Sequence, residues 1–340
     1  MIETQIYHHF EAFKTESGDQ LSELEIAFTS FGKLNSTRSN VVWICHAFTA
    51  DSHPEDWWPG MVGENKFFSP DKYFIVCANI LGSNYGSTSP LSINPLMGKP
   101  YYRDFPLLTV RDLVAAHLLL AKYLKIETIH LLIGGSIGGY QAIEWAIMKP
   151  NMIEHLIMIA SGAKTSPWRR AHNSTQRMII EADKTYFEDI PTGGLNGMKA
   201  ARSMALLSYR NEKTYRLTQS ESDDNMLYNF KVDSYQRYQG EKLAKRFNAY
   251  SYYTLLKMLD THDIGRKRGG AINALKQIRA KTLILGIESD LLFFIEDQMF
   301  MYQFIPNAKL VMIQSDYGHD GFLLENEKIS NELSAFVERD

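Results

Sequence analysis

The apolar run Ile129-His130-Leu131-Leu132-Ile133 leads without a loop into Gly134-Gly135-Ser136-Ile137-Gly138, and a helix-like segment, 137–148, follows at once. That strand–turn–helix junction constrains the fold more than any other stretch of the chain. A turn so abrupt leaves no room for side chains two residues either side of the serine. It also sets Ser136 at a helix N-terminus, where free N–H groups and the helix dipole favour negative charge. Residues 41–45, 73–77, 156–159, 282–285 and 310–313 are likewise nearly continuous in apolar residues. Such strands are covered on both faces, as in a parallel sheet. Residues 110–124 carry apolar side chains at helical spacing, with Thr109 as N-cap. The alternation predicts an α/β architecture with a mostly parallel sheet and right-handed crossovers.

The pattern breaks between Lys164 and Arg279, where Tyr, Met, Arg and Gln recur at helical spacing, and strand-like signal resumes at Lys281. At 340 residues the chain exceeds the comfortable size of one core. The economical division is an α/β core over 1–163 and 280–340, with an all-helical insertion, 164–279, lying over the strand ends and shaping a pocket. A net charge of −3 with 22% charged residues gives no footprint for nucleic acid and no basic face for a membrane. Arg266-Lys267-Arg268 reads as a solvated loop. Cys45 and Cys77 lie inside apolar runs and read as small buried hydrophobes. No apolar stretch approaches the roughly 18 residues that span a bilayer. The opening Met1-Ile2-Glu3-Thr4-Gln5 places acid where a signal peptide needs base. A cytoplasmic location is expected.

G-x-S-x-G between a strand and a helix marks Ser136 as a nucleophile and the N–H of Ile137 as an oxyanion donor. Its base and orienting acid should follow in the order Asp, His. Asp290 comes shortly after the run 282–285, in Ile287-Glu288-Ser289-Asp290, and His319 after the last run, in Asp316-Tyr317-Gly318-His319-Asp320. Both lie beyond carboxyl ends of strands, the edge where open α/β sheets bind ligands. Glu288 and Asp316 compete for the acid's place, and position after the strand favours Asp290. His117 and His130 sit inside a helix and a strand and read as structural. His46 and His53 flank a loop after residues 41–45 that can supply a second oxyanion N–H. With no HExxH and no paired CxxC, no metal is expected.

Several longer segments, taken in order from about residue 7 to 336, are similar to one family. His46-Ala47-Phe48-Thr49-Ala50-Asp51-Ser52-His53 resembles H-A-L-T-G-D-S-H, and Trp57-Trp58 with Gly60-Met61-Val62-Gly63 continues it. Asn79-Ile80-Leu81-Gly82-Ser83-Asn84-Tyr85-Gly86-Ser87-Thr88-Ser89-Pro90 resembles N-V-L-G-G-C-Y-G-S-T-G-P. Gly134-Gly135-Ser136-Ile137-Gly138-Gly139 resembles G-G-S-M-G-G. Ala201-Arg202, Tyr209-Arg210, Ser234-Tyr235 and Tyr238-Gln239-Gly240 resemble a helical lid. The chain thus resembles the homoserine O-acyltransferases of α/β-hydrolase fold.

The resemblance implies a triad of Ser136, Asp290 and His319 and an oxyanion hole of the Phe48 and Ile137 N–H groups. It implies that Arg202 grips the homoserine carboxylate, Asp320 the ammonium, and that Tyr209 lines the same pocket. It further implies ping-pong acyl transfer in methionine biosynthesis, with acetyl-CoA the foremost co-substrate, no permanently bound cofactor, and a homodimer paired through the lid. A succinyl donor, a serine acceptor, or an esterase or thioesterase using the same triad are the alternatives. A binding protein that lost turnover is another. The departures cluster near the oxyanion loop: Phe48 for leucine, Ala50 for glycine, Ser83-Asn84 and Ser89 in the second loop, and Ile137 for methionine, a volume-conserving change.

Overall fold

The computed structural model of the chain describes residues 3–337. Eight strands form one sheet: β1 (Gln5–His9), β2 (Leu24–Phe31), β3 (Val41–Cys45), β4 (Phe74–Ala78), β5 (Ile129–Gly135), β6 (Ile153–Ile159), β7 (Lys281–Ile287) and β8 (Ala308–Ile313). Their order is β1-β2-β4-β3-β5-β6-β7-β8. Strands β3 to β8 run parallel, and β1 and β2 form an antiparallel edge on β4. All five residues of β3 are buried, the direct cause of its unbroken apolar sequence. Along β3, Val41, Trp43 and Cys45 join one core, while Val42 and Ile44 join the other.

Helix α1 (Val110–Tyr123) begins with a capping box, in which Thr109 and Asp112 each accept from the other's backbone N–H. Helix α2 (Ile137–Met148) starts directly from β5, and together with α1 covers the first core. Between β6 and β7 lie α3 (Pro167–Ala182), α4 (Leu195–Tyr209), α5 (Glu212–Gln219), α6 (Lys231–Ala244) and α7 (Ala249–Asp260). Among the described residues this segment holds no strand, only the isolated bridge of Lys164 with Asp263. Helix α8 (Ile295–Phe304) follows β7. Helix α9 (Asn326–Val337) closes the described chain and buries Ile329 and Leu333 in the second core.

Arg266 and Arg268 depart from the expectation of a solvated loop. Arg266 holds both oxygens of Glu16, at 3.1 and 2.7 Å, and Arg268 holds both of Glu144. Arg111 joins the two acids, at 2.7 and 3.2 Å. Only Lys267 between them is exposed. Cys45 and Cys77 are free and buried. Among the described residues no helix is long and apolar enough to cross a membrane.

Candidate active site

Ser136 has φ 56° and ψ −124°, a strained conformation for a residue with a side chain. The glycines around it exist to permit that bend. A Cβ on Gly134 would stand 2.1 Å from the Gly138 carbonyl carbon, and one on Gly138 would stand 2.1 Å from the Cys45 oxygen. The turn is tied down at its own backbone: the Ser136 N–H donates to the Ile159 carbonyl (2.9 Å), and the Ser161 hydroxyl donates to the Ser136 carbonyl (2.8 Å).

The loop after β3 packs against this turn. The Ala50 N–H closes a turn onto the Ala47 carbonyl at 3.1 Å, and among the described residues the Phe48 N–H has no backbone acceptor. His46 anchors the loop. It is buried, its Nδ1 bonds the Ala47 carbonyl at 2.9 Å, and its Nε2 accepts from the Ile80 N–H at 3.1 Å. Those partners require the neutral ring protonated at Nδ1, and burial lowers its pKa accordingly. His46 is therefore a structural pin. His53 bonds Thr4 and Glu55 at the loop's far end.

Asp290 and His319 emerge from the loops after β7 and β8. The His319 Nδ1 lies 2.7 Å from Asp290 Oδ2, with both side chains buried. The second oxygen, Oδ1, accepts from the N–H groups of Leu292 (2.7 Å) and Phe293 (3.0 Å). A carboxylate so engaged accepts the His319 Nδ1 proton and leaves Nε2 free to act as a base. The rival acids are elsewhere: Glu288 is exposed, and Asp316 pairs with Lys213 at 2.7 Å. Gly318 precedes His319 with φ +64°, and a Cβ there would stand 2.9 Å from the Arg210 carbonyl carbon. Glycine thus lets the His319 loop pack directly on the end of α4.

Ser136 stands where two cavities meet. The outer one, about 430 Å³, is bordered by Ser136, His319, Arg202, Tyr209 and Asp320, with Lys242 and Arg246 also on its wall. The Arg202 guanidinium lies 5.2 Å from the Tyr209 ring centroid and makes no ion pair among the described residues. Asp320 is held instead by Arg210 Nε, at 3.3 Å. Burial raises the pKa of Asp320, opposed by His319, Arg202 and Arg210. Of the site residues expected from the sequence, Phe48, Ser136, Arg202, Tyr209, His319 and Asp320 border this chamber, Ile137 borders the other, and Asp290 lies behind His319 on neither wall.

The inner cavity is small, about 50 Å³, and is bounded by Phe48, Ser136, Ile137 and the faces of α3 and α7. Phe48 forms part of its wall and packs on Tyr252 with ring centroids 4.7 Å apart. Three buried polar side chains of its lining were missed in the sequence: Arg169, Asn173 and Gln176, all on α3. Their spacing, continued by Ile180, is that of one helical face. A polar stripe of this kind is ordinarily read as the solvent side, so only the pairing of each group reveals the inward direction. Asn173 donates to Asp260 at 2.9 Å, and Gln176 accepts from the Tyr252 hydroxyl at 2.7 Å.

One cluster of three potential metal ligands occurs among the described residues, His130, Glu154 and His155. It lies at the opposite end of β5 and β6 from Ser136, with His130 bonded to Glu154 at 2.8 Å.

Comparison with known proteins agrees with this architecture. The α/β-hydrolase fold family matches residues 40–326. A protein of Cyclobacterium marinum named homoserine O-acetyltransferase is 47% identical over 332 residues, covering 98% of this chain and 94% of its own. The structure of homoserine O-acetyltransferase from Bacillus anthracis has a TM-score of 0.91 at 23% identity, covering 99% of this chain and 98% of that one. An acetylester hydrolase from Corynebacterium glutamicum reaches 0.86 at 22% identity, covering 99% and 96%. At such identities the two structures speak for the fold alone, which acyl transfer and ester hydrolysis share.

Proposed function

The chain belongs to the homoserine O-acetyltransferase family of α/β-hydrolase-fold enzymes, and on that premise we propose that Ser136, Asp290 and His319 carry an acetyl group from acetyl-CoA to the hydroxyl of homoserine. His319 Nε2 takes the proton of Ser136 as Oγ attacks the thioester carbon. The N–H groups of Phe48 and Ile137 hold the oxyanion, each such donor being worth about 3 kcal/mol of barrier. The intermediate collapses to acetyl-Ser136, and the departing CoA thiolate takes the proton from His319. Homoserine then gives its hydroxyl proton to His319 and attacks the acetyl carbon. O-acetylhomoserine leaves, and Ser136 regains its proton.

The observation that carries transfer over hydrolysis is the pair Arg202 and Asp320 on the wall that Ser136 and His319 share. A water acceptor needs no such pair, whereas an amino acid presents a carboxylate to the guanidinium and an ammonium to the carboxylate. Held by both ends, its hydroxyl outcompetes water. The size of the inner cavity supports acetyl as the donor group. A space of about 50 Å³ beside Ser136 favours a short acyl group over a long, charged one. Lys242 and Arg246 give the outer wall positive charge suited to the CoA phosphates.

The same reading makes residues 164–279 a lid inserted into a core of 1–163 and 280–340. It makes the enzyme a cytoplasmic homodimer paired through that lid, where Leu217, Leu227 and Tyr228 are exposed. The test is product analysis by mass spectrometry with acetyl- or succinyl-CoA against homoserine or serine. O-acetylhomoserine as the dominant product is expected. CoA release that homoserine does not accelerate, without acylated amino acid, would sink the transferase reading in favour of hydrolysis.

A further inference from the structure

Arg169 is a buried cation outside the chemistry described so far, and folded proteins rarely bury arginine without a specific set of partners. It occupies the first turn of α3, where Ser166 caps the helix and Pro167 begins it. Apart from the Lys164 carbonyl, which Nη2 also holds, its partners lie on the loop that carries Asp290 and on the first turn of α8 just after it. Nη1 donates to the Leu292 carbonyl at 2.9 Å and to Asp297 Oδ2 at 2.7 Å. Nη2 donates to the other Asp297 oxygen at 3.3 Å. The guanidinium carbon lies 4.4 Å from the centroid of the Phe293 ring, a cation–π distance.

Leu292 and Phe293 are the two residues whose N–H groups hold Asp290 Oδ1. Phe293 also stacks on the His319 imidazole, centroids 5.3 Å apart at 22°. One guanidinium therefore grips the carbonyl of the first residue and the ring of the second. Through them it reaches both members of the acid–base pair.

We propose that Arg169 is a positioning residue, fixing Leu292 and Phe293 so that Asp290 meets His319 Nδ1 and the imidazole keeps its orientation toward Ser136. Its planar fork suits the task, because a single donor cannot hold a carbonyl, a carboxylate and a ring face together. Misplacement of catalytic groups by about 1 Å costs on the order of 100-fold in rate. The inference rests on the triad assigned above, though not on the identity of donor or acceptor.

The test uses the full chain with p-nitrophenyl acetate, following p-nitrophenol release in a single turnover with enzyme in excess. Proton NMR of the far-downfield His319 Nδ1–H signal is recorded alongside. In Arg169→Met the release should slow roughly 100-fold, with the half-saturating ester concentration within about 2-fold of the parent and the downfield signal broadened or lost. Arg169→Lys, keeping charge without the fork, should recover part of the rate. A folded Arg169→Met protein with parental release rate and downfield signal would overturn the proposal. Where Arg169→Met does not fold, Arg169→Lys decides: a lowered rate at unchanged half-saturation supports it, and a parental rate overturns it. Failure of the parent chain to release p-nitrophenol would instead count against the triad. Normal release without O-acetylhomoserine formation would count only against the transferase reading.

Discussion

Asp290 owes its role to what it accepts. Two backbone N–H groups fill one oxygen and His319 takes the other, so the acid fixes the tautomer of its partner. Asp290→Asn keeps the shape and can present its amide N–H toward Nδ1, which favours the wrong tautomer. Turnover should fall roughly 10⁴-fold, measured as steady-state CoA release, with CD spectra unchanged. Arg202 and Asp320 call for a different signature. Arg202→Met and Asp320→Asn should raise KM for homoserine at least 10-fold, while single-turnover acetylation of Ser136 stays within about 2-fold, the pattern of lost acceptor binding. The pH dependence follows from the raised pKa of Asp320. Only its carboxylate attracts the ammonium, so KM for homoserine should climb on acidification sooner than an ordinary aspartate dictates, and Asp320→Asn should abolish that climb. At this scale Ser136, Asp290 and His319 were legible because strand ends and glycines mark their places. Arg169 was not, since an arginine on an amphipathic helix gives no sign of pointing inward until its acceptors, here Leu292 in a loop and Asp297 in the first turn of α8, arrive from 123 and 128 residues away.

Three parts of the proposed site sit on backbone that is pinned: the bend at Ser136 by Ile159 and Ser161, the loop after β3 by His46, and the His319 loop by Gly318 against α4. Rigid supports of this kind let short loops hold reactive geometry. Gly318→Ala tests the last of them. The left-handed φ alone costs about 1–2 kcal/mol, and the new methyl meets the Arg210 backbone rather than a flexible side chain. The variant should lower Tm and also weaken homoserine binding, because pushing the end of α4 away moves Tyr209 and Arg210 together. A lowered Tm with parental KM for homoserine would show that the contact serves stability alone. The parallel strands were readable because burial on both faces forces an unbroken apolar run. Strand β1 escaped notice for the opposite reason: three of its five residues are exposed and only one neighbour pairs with it, so Gln5 to His9 carry little apolar signal. The helical character of 164–279 was legible from spacing, while the way α3 and α7 enclose a cavity behind Ser136 depends on long-range packing that no local pattern encodes.

Taken whole, the molecule is built around buried groups that are neutral at pH 7 and resist protonation. His117 packs against the paired rings of Trp43 and Trp145, and His262 stacks on Tyr140 with centroids 3.7 Å apart. Burial drives both from the ordinary 6.5 down to about 3, and lowers His46 as well. Below pH 6.5 the unfolded chain protonates these rings and the folded chain does not. The unfolded state then binds more protons, so stability is full above 6.5 and drains as pH falls toward about 3, by roughly 1.4 kcal/mol per pH unit for each proton taken up. Glu16 adds to the loss at lower pH: its contacts with Arg266 and Arg111 overcome burial and hold it at about 2 against an ordinary 4.5, and that contribution disappears between those values. Asp112 and Asp320, raised by burial, work in the other direction between their raised values and 3.8, and so offset part of the loss in the lower part of the histidine window. The unfolding free energy, taken from urea titrations, should therefore fall steeply between pH 7 and 5. His262→Phe, which keeps an aromatic ring against Tyr140 and cannot titrate, should show a slope shallower by about one proton. A flat profile in the parent would refute this account. Because His46 Nε2 must accept from the Ile80 N–H to hold the loop bearing Phe48, forcing a proton onto it loosens the oxyanion side of the site. Turnover at low pH should then be lost together with global stability, and refolding at pH 7 should restore both.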